Sequence, residues 1–251
     1  MKKLLMVCLA LVLTACGGGG GGGNVPAQVP AAIPTPLPVA ASAAGFWEGT
    51  ASNGVSVALA ILEDGQTWGV YSSNNAIAGA LYGTTTSSGT TLTGSGKDFN
   101  IPARTVDAAT YTGTFVANSR ISVTTSNGGS LTAFYAVAYD QPASLASLAG
   151  SYVGTGVTGS TLAQSTPVTI SNTGAISVPA SGGCGATGTA KPRASGKNIF
   201  DISVTFNGNS CALGNGVVTT GVAYFNAATR QLIVLALNSA KSDGFIYSGQ
   251  K

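Results

Sequence analysis

From about residue 44 onward the chain alternates apolar and polar positions in short runs rich in Val, Ile, Thr, Tyr and Phe. Such alternation places successive side chains on opposite faces of an extended strand. The runs are punctuated by Asn53-Gly54, Asp64-Gly65, Asn127-Gly128, Asn172-Thr173-Gly174, Asn207-Gly208 and Asp243-Gly244. Pairs of this kind supply the positive φ that tight hairpins demand, so their recurrence predicts an antiparallel meander; parallel strands would need long crossovers. No apolar period of 3.6 is sustained, and Ser144 to Leu148 is the best candidate for a short turn of helix. Three runs, Val57 to Leu62, Ala133 to Tyr139 and Leu232 to Leu237, are apolar on both alternating faces. In a small barrel that leaves one apolar row outside, so these rows are expected to meet between lobes or in a dimer.

The pattern repeats. Ala44-Gly45-Phe46-Trp47-Glu48-Gly49-Thr50 matches Ala149-Gly150-Ser151-Tyr152-Val153-Gly154-Thr155. Later landmarks keep the same order: Glu63-Asp64-Gly65 with Asn172-Thr173-Gly174, Tyr82-Gly83-Thr84 with Thr187-Gly188-Thr189, and Thr112-Gly113 with Thr219-Thr220-Gly221. The chain is therefore expected to be all-β, with two similar small antiparallel lobes over residues 44–140 and 141–251. Each lobe should close as a barrel or stack as a sandwich of about seven or eight strands, with barrels favoured. The aromatic that follows Gly at the start of each lobe, Trp47 and Tyr152, resembles the opening of lipocalin-like and avidin-like barrels, which implies a ring plugging the floor.

The first 43 residues read differently. Met1-Lys2-Lys3 is a basic start, Leu4 to Val12 an apolar run, and Leu13-Thr14-Ala15 ends in small residues before Cys16. This is the pattern of a secretory signal (1–15), too short for a span of roughly 20 apolar residues. Leu13-Thr14-Ala15-Cys16 resembles the lipobox of bacterial lipoproteins, which implies cleavage before Cys16 and lipid attachment there. Gly17 to Gly23 continue as a flexible run, and Pro26, Pro30, Pro34, Pro36 and Pro38 favour extended polyproline II. Residues 16–43 thus read as a lipidated cysteine and tether holding the lobes off a membrane. In lipobox, glycine-rich tether and β-richness the layout resembles two-lobe bacterial surface lipoproteins of the transferrin-binding and complement-regulator-binding type. That resemblance implies a lipid-anchored protein of the cell envelope whose partner is a protein or surface molecule. Gly17 stands where inner-membrane retention signals place aspartate, which by the same precedent implies the outer membrane, with its surface or periplasmic face open.

Cysteine and charge narrow the chemistry. Cys184 and Cys211 are the pair left in the lobes, and an even pair in an exported protein is most simply a disulfide. Charged residues are 8% of the chain; the first lobe sets three cations against six carboxylates (net −3) and the second six against two (net +4), so the halves should attract. No concentrated basic face is present for nucleic acid, and Lys191-Pro192-Arg193 with Lys197 reads as a solvated loop. With no histidine, Ser-His-Asp and Cys-His catalysis are excluded and no metal or cofactor is implied. Glu63-Asp64 is an adjacent acidic pair, but Asp64-Gly65 reads as a turn; Gly94 to Lys97 lacks the spacing of a phosphate loop. Trp47, Trp68, Tyr71, Tyr82, Phe134 and Tyr135, with Tyr139, concentrate in the first lobe. They are core first, and the lining of a ligand mouth second. The expected function is a non-catalytic binding or interaction lipoprotein. A periplasm-facing structural or assembly lipoprotein is the alternative, and a small-ligand carrier or enzyme, which requires a pocket that holds the scarce carboxylates together, the third class.

Overall fold

The computed structural model describes residues 42–251. The signal segment, Cys16 and the tether up to residue 41 lie outside the described residues. Eight strands form the first unit: β1 (Gly45–Ala51), β2 (Ser56–Ile61), β3 (Gln66–Ser73), β4 (Ala76–Ser88), β5 (Thr91–Asn100), β6 (Thr105–Val116), β7 (Arg120–Thr125) and β8 (Ser130–Tyr135). Each pairs antiparallel with the next, and β8 pairs back onto β1, so the sheet closes as an up-and-down barrel. A 3-10 turn (Val137–Asp140) and a short helix α1 (Leu145–Leu148) lead to the second unit. There β9 (Gly150–Thr158), β10 (Gln164–Ile170), β11 (Ala175–Ser181), β12 (Cys184–Pro192), β13 (Phe200–Asn207), β14 (Val218–Asn226), β15 (Gln231–Asn238) and β16 (Gly244–Gln250) form another closed barrel, with β16 paired to β9.

The sequence repeat is a structural one. Trp47 and Tyr152 occupy the same place on the first strand of each barrel, and both are fully buried inside. Each donates to the carbonyl four residues earlier, Trp47 Nε1 to Ala43 at 3.1 Å and the Tyr152 hydroxyl to Leu148. Two residues on, Gly49 and Gly154 sit where the closing strand passes: a Cβ at Gly154 would meet the Ser248 carbonyl at 2.2 Å, and one at Gly49 the Thr132 carbonyl at 2.0 Å. Only glycine permits that approach. The Asp64-Gly65 and Thr173-Gly174 turns are also equivalent; Gly65 and Gly174 both have φ +82, and their carbonyls accept from Thr85 and Ala190, each at 2.7 Å.

Not every turn follows the Gly signal. Asn74 and Asn75 both adopt positive φ and turn β3 into β4 without glycine, and Lys241 does so ahead of Asp243-Gly244. Asn tolerates this region better than other residues that carry a Cβ. Ser144 caps α1, accepting a hydrogen bond from the Ser147 backbone N–H, as expected for this segment.

Three apolar clusters hold the described chain together. One fills the first barrel around Trp47, Leu59, Leu92, Phe115 and Ile121. Another lines the second barrel around Tyr152, Ile170, Phe200, Ile202, Phe225 and Leu232. The third lies between the barrels, where Phe46, Ala60, Trp68, Val70, Ala80 and Phe99 meet Val157, Val222, Tyr224, Leu235, Leu237 and Ile246. The double-faced runs of β2 and β15 therefore both feed this interface: Leu59 and Val234 point inward while Ala60 and Leu235 belong to the cluster between the barrels, where β15 packs against β3 and β16 against β4. Phe46 stacks on Tyr224 with ring centroids 3.7 Å apart. The third double-faced run departs from this: β8 ends at Tyr135, Tyr139 joins the interface from the 3-10 turn, and Phe134 is left 60% exposed.

Charge reinforces the contact. Arg193, expected in a solvated loop, instead reaches Glu63 at 2.7 Å and Asp64 at 2.9 Å across the interface, and Asp201 at 2.8 Å in its own barrel. Its side chain is only 16% exposed, because three carboxylates converge on one guanidinium fork. These partners hold Arg193 above its ordinary pKa against the opposing effect of burial. Lys197 pairs with Asp140 at 2.7 Å, and that hydrogen bond holds the Asp140 carboxyl below the usual carboxylate value. The Asn198 amide donates to the Ala138 and Phe225 carbonyls, tying the connecting segment to the second barrel.

Candidate functional site

An eight-stranded barrel is just wide enough either to be filled by side chains or to hold one small ligand. The two barrels take the two options. In the first, large inward groups fill the lumen: Trp47 packs edge-on against Tyr135 at 5.2 Å, and the Tyr111 and Tyr71 rings lie over Gly94 and Gly79. Thr67, Thr85 and Tyr111 join their hydroxyls in a chain, while Tyr71 donates to Asp98 at 2.7 Å. Burial raises Asp98, and burial together with the Asp98 contact holds Tyr71 well above its ordinary range.

The second barrel encloses a cavity of about 570 Å³, within the ~300–1,000 Å³ usual for small-molecule sites. Its shaft is aliphatic, built from inward residues of successive strands: Val168, Ile170, Ile176, Ile202, Val204 and Val234. Small residues at Ala186 and Ala223 leave room in the lumen. The end toward α1 is closed. Leu148 is fully buried against Tyr152 and Phe225, and the Lys251 ammonium caps the plug from outside, donating to the Ser147 and Ala149 carbonyls and lying 4.5 Å from the Phe225 ring centroid.

The opposite end is the mouth. Phe206 and Phe245 meet edge-on there at 5.7 Å, both half-exposed, and Thr158, Thr161, Gln164, Thr166, Ser181 and Ser210 supply neutral polar groups. Over it lies the segment 208–217 between β13 and β14, whose Ala212 and Leu213 line the cavity. The segment is fixed by the expected disulfide: Cys211 within it bonds Cys184 at the start of β12, with Cα atoms 4.7 Å apart. Internal hydrogen bonds from Gly208 N–H to the Asn215 side chain and from Gly216 N–H to the Phe206 carbonyl complete it.

No Asp, Glu, Lys or Arg lines this cavity. Tyr247, on its wall, is 2% exposed with a hydroxyl that finds no partner; burial raises its pKa to about 12, so the phenol is neutral. One flank of the mouth is loosely closed. β10 and β11 share only Thr169↔Ser177 and Ile170↔Ile176, the shortest ladder of either barrel, and Pro167 and Pro179 stand mouthward of those pairs without an N–H to donate. Among the described residues no three His, Cys, Asp or Glu are grouped to hold a metal ion.

The aromatic residues singled out in the sequence do not share one mouth. Trp47, Tyr71 and Tyr135 belong to the interior of the first barrel or its edge, Trp68 and Tyr82 face the interface, and Phe134 faces solvent. Trp68 and Tyr82 pack 4.5 Å apart with the Lys241 ammonium of the other barrel over both rings. The cavity instead occupies the lobe without tryptophan, and its sequence signal was the run of small and aliphatic inward positions at Val168, Ile170, Ile176, Ala186, Val204 and Ala223. A scan against protein-family models matched nothing, and neither did a search of curated proteins.

Proposed function

We propose that this chain is a lipid-anchored, non-catalytic binding lipoprotein of the bacterial outer membrane that holds a small apolar molecule in its second barrel. The cavity of about 570 Å³, aliphatic in its shaft and open at one end, carries the reading. The first barrel, filled and docked through its outer face, acts as the base on which the binding barrel is mounted. A small-ligand carrier thereby takes precedence over a lobe that binds proteins by its surface, though with an uncharged cavity in place of the pocket of gathered carboxylates that the sequence led one to expect for this class. Support for the non-catalytic reading comes from the absence of histidine in the chain and of carboxylates in the cavity lining. The anchor rests on Leu13-Thr14-Ala15-Cys16.

A fluorescent apolar probe such as N-phenyl-1-naphthylamine tests the cavity. The protein should bind it with one site per chain, and Ala186→Trp, which places an indole in the shaft, should abolish binding while far-UV circular dichroism is unchanged. Ile202→Trp serves as a second filling variant should the first fail to fold. Probe binding unaffected by a folded filling variant refutes the site. Metabolic labelling with palmitate, lost in Cys16→Ala, tests the anchor, and proteinase treatment of intact cells assigns the face.

A further inference from the structure

We infer that the cavity ligand is an uncharged amphiphile, bound with its apolar part in the shaft and a hydrogen-bonding head at the mouth. The inference rests on the proposed ligand-binding role of the second barrel and adds the chemical class and the orientation.

Polarity along the cavity axis is the first observation. The shaft presents aliphatic carbon from Val168, Ile170, Ile202, Val204 and Val234 with the Tyr247 ring beside them, whose hydroxyl is buried, and its closed end is plugged by Leu148, Tyr152 and Phe225. Thr158, Thr161, Gln164, Thr166, Ser181 and Ser210 all lie at strand ends or in loops at the open side. A ligand inserted tail-first satisfies both; the reverse orientation would bury its head among methyl groups at a cost of several kcal/mol.

Charge is the second. The lining contains no cation to neutralise a carboxylate or phosphate and no carboxylate to receive an ammonium. The nearest cation at the plug, Lys251, is turned outward and engaged by the Ser147 and Ala149 carbonyls. A charged head brought to this rim loses hydration and gains no partner, whereas hydroxyl, ester or amide groups can both donate to and accept from Thr, Ser and Gln. The Gln164 amide offers two donors and one acceptor in a single side chain. Along the β10–β11 flank, strand pairing stops at Thr169 and Ser177, so the head has lateral room beside Pro167 and Pro179.

The experiment uses the full mature chain carrying Cys16→Ser, purified without detergent, because common detergents are themselves uncharged amphiphiles. N-phenyl-1-naphthylamine is bound first and displaced with 1-monopalmitoylglycerol, palmitate or methyl palmitate, which share one acyl chain. Monopalmitoylglycerol should displace the probe at a concentration lower than palmitate by on the order of tenfold, and methyl palmitate, which lacks the charge, should recover most of that difference. The double variant Thr158→Val/Gln164→Leu should weaken monopalmitoylglycerol by roughly fivefold or more relative to the probe's own affinity measured on the same variant. Palmitate equal to or better than monopalmitoylglycerol overturns the inference but leaves the cavity reading standing. So does bound probe that none of the three displaces, or a rim variant that leaves monopalmitoylglycerol untouched. Failure of the probe to bind the folded protein overturns both.

Discussion

Replacing Arg193 by Ala tests how the two barrels are held. The guanidinium makes three N–H···O contacts of 2.7, 2.8 and 2.9 Å, two of them to the first barrel's Glu63 and Asp64. The carboxylates remain between 42% and 49% exposed, so each contact is screened and resembles a surface pair more than a buried one. Exposed pairs contribute about 0.2–1 kcal/mol each, and three sharing one ordered arginine cost less side-chain entropy than three separate pairs. The expected loss is therefore about 2 kcal/mol. Asp64 also caps its own turn, accepting from the Gln66 N–H at 3.0 Å, so its single substitution overstates the ion pair. A double-mutant cycle of Arg193→Ala and Asp64→Ala in urea cancels that contribution. The coupling should be about 0.5–1 kcal/mol at low ionic strength and fall markedly in 1 M NaCl, where the screening length shrinks to about 3 Å. Arg193→Lys should restore only part of the stability, since an ammonium cannot fork to three carboxylates. A coupling below about 0.2 kcal/mol, or full rescue by lysine, would refute the clamp.

Other expectations are independent of it. Loss of the Cys184–Cys211 bond, which joins residues 27 apart, should cost about 3.5 kcal/mol by chain-entropy reasoning; a midpoint shift in denaturant equivalent to less than 1 kcal/mol would contradict it. Tyr247→Phe removes a buried hydroxyl that has no partner, so thermal unfolding should find the variant as stable as the parent or up to ~1 kcal/mol more so; a clear loss would reveal a hidden partner. Because Lys197 holds the Asp140 carboxyl low, the pair stabilises the fold above the ordinary Asp pKa of about 3.9, and that contribution disappears as pH falls through the lower native value. Carbon-detected NMR titration should show Asp140 titrating below the model-peptide value, and moving up toward it in Lys197→Ala. Gly154→Val should prevent closure of the second barrel, since its Cβ would meet the Ser248 carbonyl at 2.2 Å and Gly249 Cα at 2.3 Å; a folded, soluble variant would contradict the close approach.

Barrel architecture was legible because its signals are local. Alternation, Asn-Gly and Asp-Gly turns, and the repeat headed by Trp47 and Tyr152 report the pleat, the hairpins and the two equivalent first strands without knowledge of what they pack against. The disulfide followed from counting. The double-faced runs of β2 and β15 signalled an apolar surface needing a cover, and the structure supplies it from within the chain. Arg193 was misread because its partners lie some 130 residues away, at Glu63 and Asp64, and no local pattern reports so distant a contact. The cavity of the second barrel went unforeseen for a different reason. Attention to aromatic residues finds where a lumen is filled, while a cavity is defined by what is missing, here at Ala186 and Ala223.

The wall of the second barrel is uneven in a way that governs time rather than affinity. Strands β14, β15 and β16 carry the cavity on one face and the interface on the other, with Ala223 beside Tyr224, Val234 beside Leu235 and Tyr247 beside Ile246. Their amides should be among the slowest in the molecule to exchange with deuterium, because opening them breaks two cores at once. The β10–β11 flank holds two residue pairs and faces solvent on its outer side. Fluctuations there cost least, so release of a bound molecule should keep pace with the opening of this short ladder. A bond engineered across it would lengthen residence time without altering a single group that touches the ligand.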